Sequence, residues 1–173
     1  MKTVTYEQFL GFKPCWLEDG RAEKLAKIGA RKAEWTALDI LKLRGVSDQD
    51  KLWAVLWEEF IDAPILHEFA CRCAERALTN AKVTDERSWN AIRVKRLWLK
   101  GEATDKELAA AWAAAWSAAW AAAWSAAGAA AGVAAGVAAG VAAGAARSAA
   151  GAAAEEKWQM QELIKMLKEG ANA

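Results

Sequence analysis

From Ala109 to Ala146 the chain runs for 38 residues without a single charge, and a four-residue beat governs the stretch. Tryptophan stands at 112, 116, 120 and 124; glycine then holds the same register at 128, 132, 136, 140 and 144, with alanine filling most of the remainder. Alanine is the strongest helix former, so the pattern predicts helix. Each residue turns an ideal helix by about 100°, and a period of four overshoots a full turn by roughly 40°. Over the eight steps from Trp112 to Gly144 the row therefore drifts by roughly 320°, almost once around a straight helix. A partner that follows the row must wind with it in a right-handed sense. Otherwise the segment folds back as a hairpin with the glycine region at its corner. One unbroken helix over 105–169 would be about 100 Å long, far more than the width of the domain that the rest of the chain can form.

Glycine in a helix interior costs roughly 0.8–1 kcal/mol relative to alanine. The five glycines of the row, together with Gly151, cost roughly 5 kcal/mol, comparable with the stability of a whole domain. Close approach of another backbone, as small-x-x-x-small rows allow, is the natural compensation. Val133, Val137 and Val141 flank that groove. With no charge to keep it in water, the tract is expected to be covered by protein. Trp112, Trp116, Trp120, Trp124, Gly128, Gly132, Gly136, Gly140 and Gly144 are its candidate protein-contact positions.

The first hundred residues read differently, as Leu, Ile, Trp and Phe spread among many charges. Helical spacing recurs there and no segment alternates in strand fashion, so an all-α bundle over 1–103 is expected. Thr3 or Thr5 can cap a short helix bearing Tyr6, Phe9 and Leu10 that ends near Gly11, before Pro14. A second helix is expected over 21–42, burying Leu25, Ile28, Trp35, Leu38 and Leu41, with a break conceivable at Gly29. Ser47 is a good N-cap, with Asp48 and Asp50 at the positive end of the helix dipole. Leu52, Trp53, Val55, Leu56, Trp57 and Phe60 then make an apolar stripe too wide for a surface helix.

Asp62-Ala-Pro opens the next helix, which carries Ile65, Leu66, Phe69, Cys73, Ala77 and Leu78. Another starts after Thr84 or Asp85, buries Trp89, Ile92, Leu97 and Leu99, and stops at Gly101. Thr104-Asp-Lys-Glu107 is a capping box and marks the boundary with a second region, 104–169. That region is expected to be an alanine-rich helix or helical hairpin with an amphipathic C-terminal end.

Function classes narrow by exclusion. Formal charge is +1, and after four basic and four acidic residues beyond residue 107 are set aside, residues 1–107 hold 19 basic and 18 acidic side chains. Nothing in that balance draws the chain to nucleic acid. Three cysteines, Cys15, Cys71 and Cys73, fit no disulfide framework and suggest reduced thiols in a cytoplasm. The N-terminus lacks the apolar run of a signal peptide.

His67 and Cys71 share a helix face but Cys73 points about 160° away, and structural zinc needs four ligands; core packing is the expectation, with no metal and no cofactor. Arg93, Arg96 and Lys100 share helical spacing and are expected to form a solvated face paired with nearby acids rather than a phosphate site. Glu58 and Glu59, adjacent on an expected helix, point about 100° apart and make a poor acid–base pair. No phosphate loop, dinucleotide fingerprint or nucleophile elbow is present, so catalysis is not expected. The uncharged stretch exceeds the length of a membrane span. Its alanines offer little apolar surface, however, and its tryptophans are not placed as belts at two ends, which disfavours insertion.

Three segments carry a resemblance: FACRCAERAL (69–78), DERSWNAIRVKRLWLKGEATDKELAAAW (85–112), and the alanine repeat followed by EEKWQMQELIKMLKEG (155–170). Together they are similar to the fifth-numbered family of immunity proteins from bacterial polymorphic toxin systems. That family has a Cys-Ala-Glu-x-x-Leu-like helix, an Ala-Ile-x-x-(Lys/Ala)-(Arg/Lys)-x-(Trp/Tyr)-Leu helix and an alanine tract punctuated by aromatic, Asp or Arg residues. The likeness covers residues 50–169. It implies a cytoplasmic, non-catalytic protein that neutralises a partner toxin by covering its surface. This chain differs in setting glycine where the family often has aspartate, tyrosine or arginine. The alternative expectation is a structural protein whose Ala/Gly repeat drives homo-oligomers or filaments.

Overall fold

The computed structural model describes residues 2–18, 20–118 and 140–171, the side chains of 140–150 and of 171 excepted. The chain is mostly helical, as its spacing predicts. It divides into two compact units, Met1–Leu66 with Glu156–Ala173, and His67–Glu155. The boundary expected at 103/104 lies inside the second unit.

The first unit corrects the expectation of no strands. Strand β1 (Thr3–Thr5) pairs antiparallel with β2 (Glu34–Thr36), placing Val4 opposite Trp35. Each strand runs straight into a helix through a threonine. Thr5 caps α1 (Tyr6–Gly11): its hydroxyl accepts from Gln8 N–H, and its own N–H donates to Gln8 Oε1 at 2.8 Å. Thr36 caps α3 (Ala37–Leu41) in the same way, with Asp39 in the reciprocal role. Both are capping boxes, and both consume an N–H that a longer strand would have paired.

The single helix expected over 21–42 is therefore two, α2 (Ala22–Gly29) and α3, with β2 between them. The break falls at Gly29, where a side chain has no room: an added Cβ would lie 2.6 Å from Cγ of Tyr6. Leu25, Ile28, Trp35 and Leu41 are buried as expected, Ile40 joins them, and Leu38 is only half-buried.

Ser47 caps α4 (Asp48–Val55), its hydroxyl accepting from Asp50 N–H. The helix stops sooner than its apolar stripe suggests. The indole N–H of Trp57 donates to the carbonyl of Trp53 at 2.9 Å, filling one of the acceptors that a helix C-terminus leaves open. Phe60 and Ile61 are almost fully buried, whereas Trp53, Leu56 and Trp57 stay about two-fifths exposed. Glu58 and Glu59 consequently lie in a turn, not on a helix. The C-terminal end of the long helix that closes the chain contributes Met160, Leu163, Met166 and Leu167 to the core, confirming its amphipathic spacing.

In the second unit, α5 (Ala63–Asn80) begins before the division and continues through it. It ends with Val83 N–H on the Leu78 carbonyl and Lys82 N–H on the Thr79 carbonyl, the paired bonds of a Schellman motif. Lys82 takes the left-handed φ of 52° that this motif demands. Asp85 caps α6 (Glu86–Leu99), which closes with the same motif at Gly101, here at the expected residue type. Ile92 is the buried residue of α6; Trp89 and Leu99 are half-buried and Leu97 is exposed, against the expectation of four core positions. Thr104 and Glu107 form the expected capping box and start α7, helical over the described residues 105–118. The last helix, α8 (Gly140–Ala171), crosses the second division.

Two tests follow from this geometry. Alanine normally stabilises a helix by about 1 kcal/mol over glycine, and Gly11→Ala, with nothing within 4 Å of its new methyl, should follow the rule. Gly29→Ala should reverse it and destabilise by about 1–3 kcal/mol, because the Tyr6 ring must move; urea midpoints of the two variants should shift in opposite directions.

The second test concerns Asp39, whose carboxyl is held at about 2, against an ordinary 3.8, by Lys32 and by the Thr36 backbone and hydroxyl. The unfolded chain takes up this proton first, so the stability Asp39 supplies is complete above pH 4 or so and disappears as pH falls from about 4 to about 2. Asp39→Asn should cost about 1 kcal/mol at pH 6. Denaturant titrations at pH 2 should find that difference gone.

Candidate functional site

Helix α7 shows the start of the tryptophan row directly. Ala111 and Ala118 are buried, at 7% and 5% exposure, and Ala114 and Ala115 are half-buried. Those four positions, spaced i, i+3, i+4 and i+7, are one face of a helix. Trp112 and Trp116 lie off that face and are 68% and 65% exposed. The helix thus buries its smallest side chains and turns its largest outward. Alanine on the inner face allows close packing, while the two indole-bearing positions, four residues apart and offset by about 40°, lie on the same outward side of the helix.

Gly140 and Gly144 lie on α8. Trp120, Trp124, Gly128, Gly132 and Gly136 fall outside the described residues, as does the choice between one long helix and a hairpin. At Gly151 an added Cβ would meet nothing within 4 Å, so close backbone approach does not offset that glycine.

The first unit carries an aromatic surface that the sequence did not reveal. Phe12 stacks on Trp57 with ring centres 4.9 Å apart and planes 5° from parallel. Phe9 meets Phe12, Trp53 and Phe60 edge-on at 6.0–6.5 Å. The signal was present in the spacing of Phe9, Phe12, Trp53 and Trp57. The same spacing also fits a wide helical stripe that would bury both tryptophans, and the early end of α4 leaves them about two-fifths exposed instead. Beneath lies an apolar cavity of about 80 Å³ lined by Val4, Trp16, Ile28, Trp35 and Phe60 among others. It is well below the 300–1,000 Å³ typical of ligand pockets and reads as a packing void.

At the cavity wall Trp16 is covered by the cations of Arg21 and Lys24, 4.4 and 5.0 Å from its ring centre. Its buried indole N–H has no partner in hydrogen-bond geometry. It nonetheless lies near enough to Asp50 to favour the carboxylate. Burial pushes the Asp50 pKa up, but the Ser47 hydroxyl, that indole and Arg21 together bring it below the ordinary value.

The residues that suggested chemistry are placed in structural roles. Arg96 reaches from α6 to two carboxylates of α5, donating to Glu68 at 2.9 Å and to Glu75 at 2.9 Å. Those bonds, Glu75 foremost, raise its own pKa. Burial works against the charge on Glu68, but Arg96 and Arg72 outweigh it and lower its pKa. Arg93 pairs instead with Asn90 and, at 3.8 Å, Glu86. Arg93 and Arg96 are thus paired with acids as expected, Arg96 half-buried, and Lys100 is exposed.

Cys71 is buried, and desolvation raises its thiol pKa, leaving it protonated and a poor nucleophile. His67 sits edge-on to Trp98, ring centres 6.0 Å apart. Among the described residues no group of three or more His, Cys, Asp or Glu side chains could hold a metal ion, and no helix is long and apolar enough to cross a membrane. No family model matches the chain, and neither a curated protein nor a solved structure matches it.

The Arg96 arrangement predicts a contrast. Arg96→Ala, which strands two half-buried carboxylates, should destabilise the protein by about 2 kcal/mol, between the values for exposed and buried pairs. Arg93→Ala, on the exposed side of the same helix, should stay within about 0.5 kcal/mol. Chemical denaturation at neutral pH distinguishes the two.

Proposed function

We propose that this chain is a non-catalytic binding protein that engages a protein partner through the outward row of tryptophans on α7. The observation that carries this reading is the inversion of α7: alanines inside, Trp112 and Trp116 outside at about two-thirds exposure. Contiguous exposed apolar surface on a soluble chain marks interaction sites, and tryptophan is the residue most enriched among positions that dominate binding energy. The uncharged tract that follows in sequence extends the same chemistry, since nothing in it before Arg147 would oppose burial by a partner.

The resemblance to the immunity family gives the partner a class: a toxin whose working surface is covered. Under this reading the protein acts in the cytoplasm, needs no cofactor, and works by occlusion, not turnover. Self-assembly is the second reading, favoured by the same tract because a row of glycine and alanine suits packing against its own copy.

Trp112→Ser/Trp116→Ser discriminates. Since both rings are largely exposed, the variant should keep its thermal midpoint within about 2 °C. Its affinity for the product of the gene immediately upstream should fall at least tenfold, about 1.4 kcal/mol, as expected for loss of two anchor residues. Unchanged binding to that protein would overturn the proposal. A concentration-resistant oligomer of the wild type, dissolved by the same two changes in light-scattering measurements, would establish self-assembly in its place.

A further inference from the structure

We infer that the unpaired edge of β1 receives an extended, basic peptide segment of a partner protein as a third strand. The sheet has only two strands, so β2 covers one edge of β1 and leaves the other. Along that other side an open groove of about 590 Å³ is lined by Thr3 and Val4 of the strand and by Gln8, Phe12, Glu58 and Glu59. Edge strands present unpaired N–H and C=O groups that template a further strand, and proteins commonly guard them with lysine; on β1 the Thr5 N–H is already bonded to Gln8, so the N-terminal part of the strand is what is offered. Lys2 also lines the groove, and its ammonium is held in the wall: it bonds the Glu58 carbonyl at 2.7 Å and pairs with Asp62 at 3.1 Å.

The groove's chemistry selects the occupant. Glu58 and Glu59 are both exposed, and neither carboxylate has an ion-pair partner among the described residues. Their turn, fixed by the Trp57 indole and by Phe60 and Ile61 N–H groups bonding the Trp57 carbonyl, holds two negative charges beside the strand edge. Phe12, backed by its stack on Trp57, supplies a flat aromatic wall. In strand addition the main chain gives affinity and alternate side chains give specificity. Here one face of the incoming strand meets carboxylates and calls for Arg or Lys. The other meets an aromatic ring that suits an apolar side chain or the stem of an arginine. This surface belongs to the first unit and differs from the tryptophan row in chemistry.

Fluorescence anisotropy with the full-length protein and a labelled Val-Arg-Val-Arg-Val peptide tests the inference. The basic peptide should bind, with affinity falling as salt rises, and the acidic counterpart Val-Glu-Val-Glu-Val should not. Glu58→Gln/Glu59→Gln, two exposed changes that leave the fold intact, should weaken binding about tenfold. Methylating alternate backbone nitrogens of the peptide, in either register, should abolish it in one register, because a tertiary amide cannot join the ladder. Amide resonances of Thr3 and Val4 should shift on titration. Absence of binding up to about 1 mM, equal binding of the acidic peptide, indifference to the double substitution, or full binding by both methylated peptides would each overturn it.

Discussion

Helices of five, six and eight residues do not persist on their own hydrogen bonds, since isolated helices shorter than about 12–15 residues are marginal in water. The first unit is nevertheless built from them, and what makes this workable is the threonine at the junction of strand and helix. Val4-Thr5…Gln8 and Trp35-Thr36…Asp39 repeat one device: a buried apolar residue in the strand, a capping threonine, and a polar side chain three residues later reaching back. Because Thr5 and Thr36 spend their N–H groups on these caps, each strand ends where its helix begins. Pairing the strands antiparallel then fixes the two helix starts relative to each other. The cavity wall, the groove and the aromatic surface all hang on that pair.

The device explains which parts of the fold were legible. Caps are written within four consecutive residues, so the starts at Ser47 and Thr104 and the stop at Gly101 could be read directly, and those at Thr5 and Asp85 to within a pair of candidates; the equally local Thr36 cap was hidden inside a longer helical pattern. Three-residue strands offer no alternation to detect, and the partner of Val4 lies 31 positions away. The premature end of α4 was hidden for another reason. Trp53 and Trp57 are four apart, the spacing of neighbours on a helix, but here the second indole caps the first residue's carbonyl and ends the helix it would otherwise extend. Sequence spacing carries both meanings equally. The same ambiguity concealed the aromatic surface, because exposure depends on where the backbone turns and not on residue type.

Long-range polar pairing was illegible in kind. That Arg96 would sit among acids was foreseeable from the charge density of α5 and α6; that it would bridge Glu68 and Glu75 depends on how two helices lie against one another. Once formed, the bridge removes the most plausible anion-binding residue from consideration, and desolvation does the same for the Cys71 thiol. Among the described residues of the second unit, the large apolar side chains left most exposed are Trp112 and Trp116 of α7.

The arrangement of α7 carries a thermodynamic argument. An indole side chain buries 150 Å² or more when covered, so at about 25 cal/mol per Å² each of these rings, two-thirds exposed, forgoes about 2.5 kcal/mol. Two rings together forgo a sum comparable with the whole stability of a small domain. A chain under pressure only to fold would rotate this helix by about 120°, place Trp112 and Trp116 inside, and leave the alanines in solvent. The inner face of α7 is instead made of side chains whose burial contributes little, which allows close packing and keeps the rings outside. The free energy withheld from folding is then available for association, where shape-complementary covering of a few aromatic anchors contributes most of the affinity. On the proposed binding role, association and stability are separated at the level of single positions: Ala111 and Ala118 pack the helix, and Trp112 and Trp116 remain for a partner.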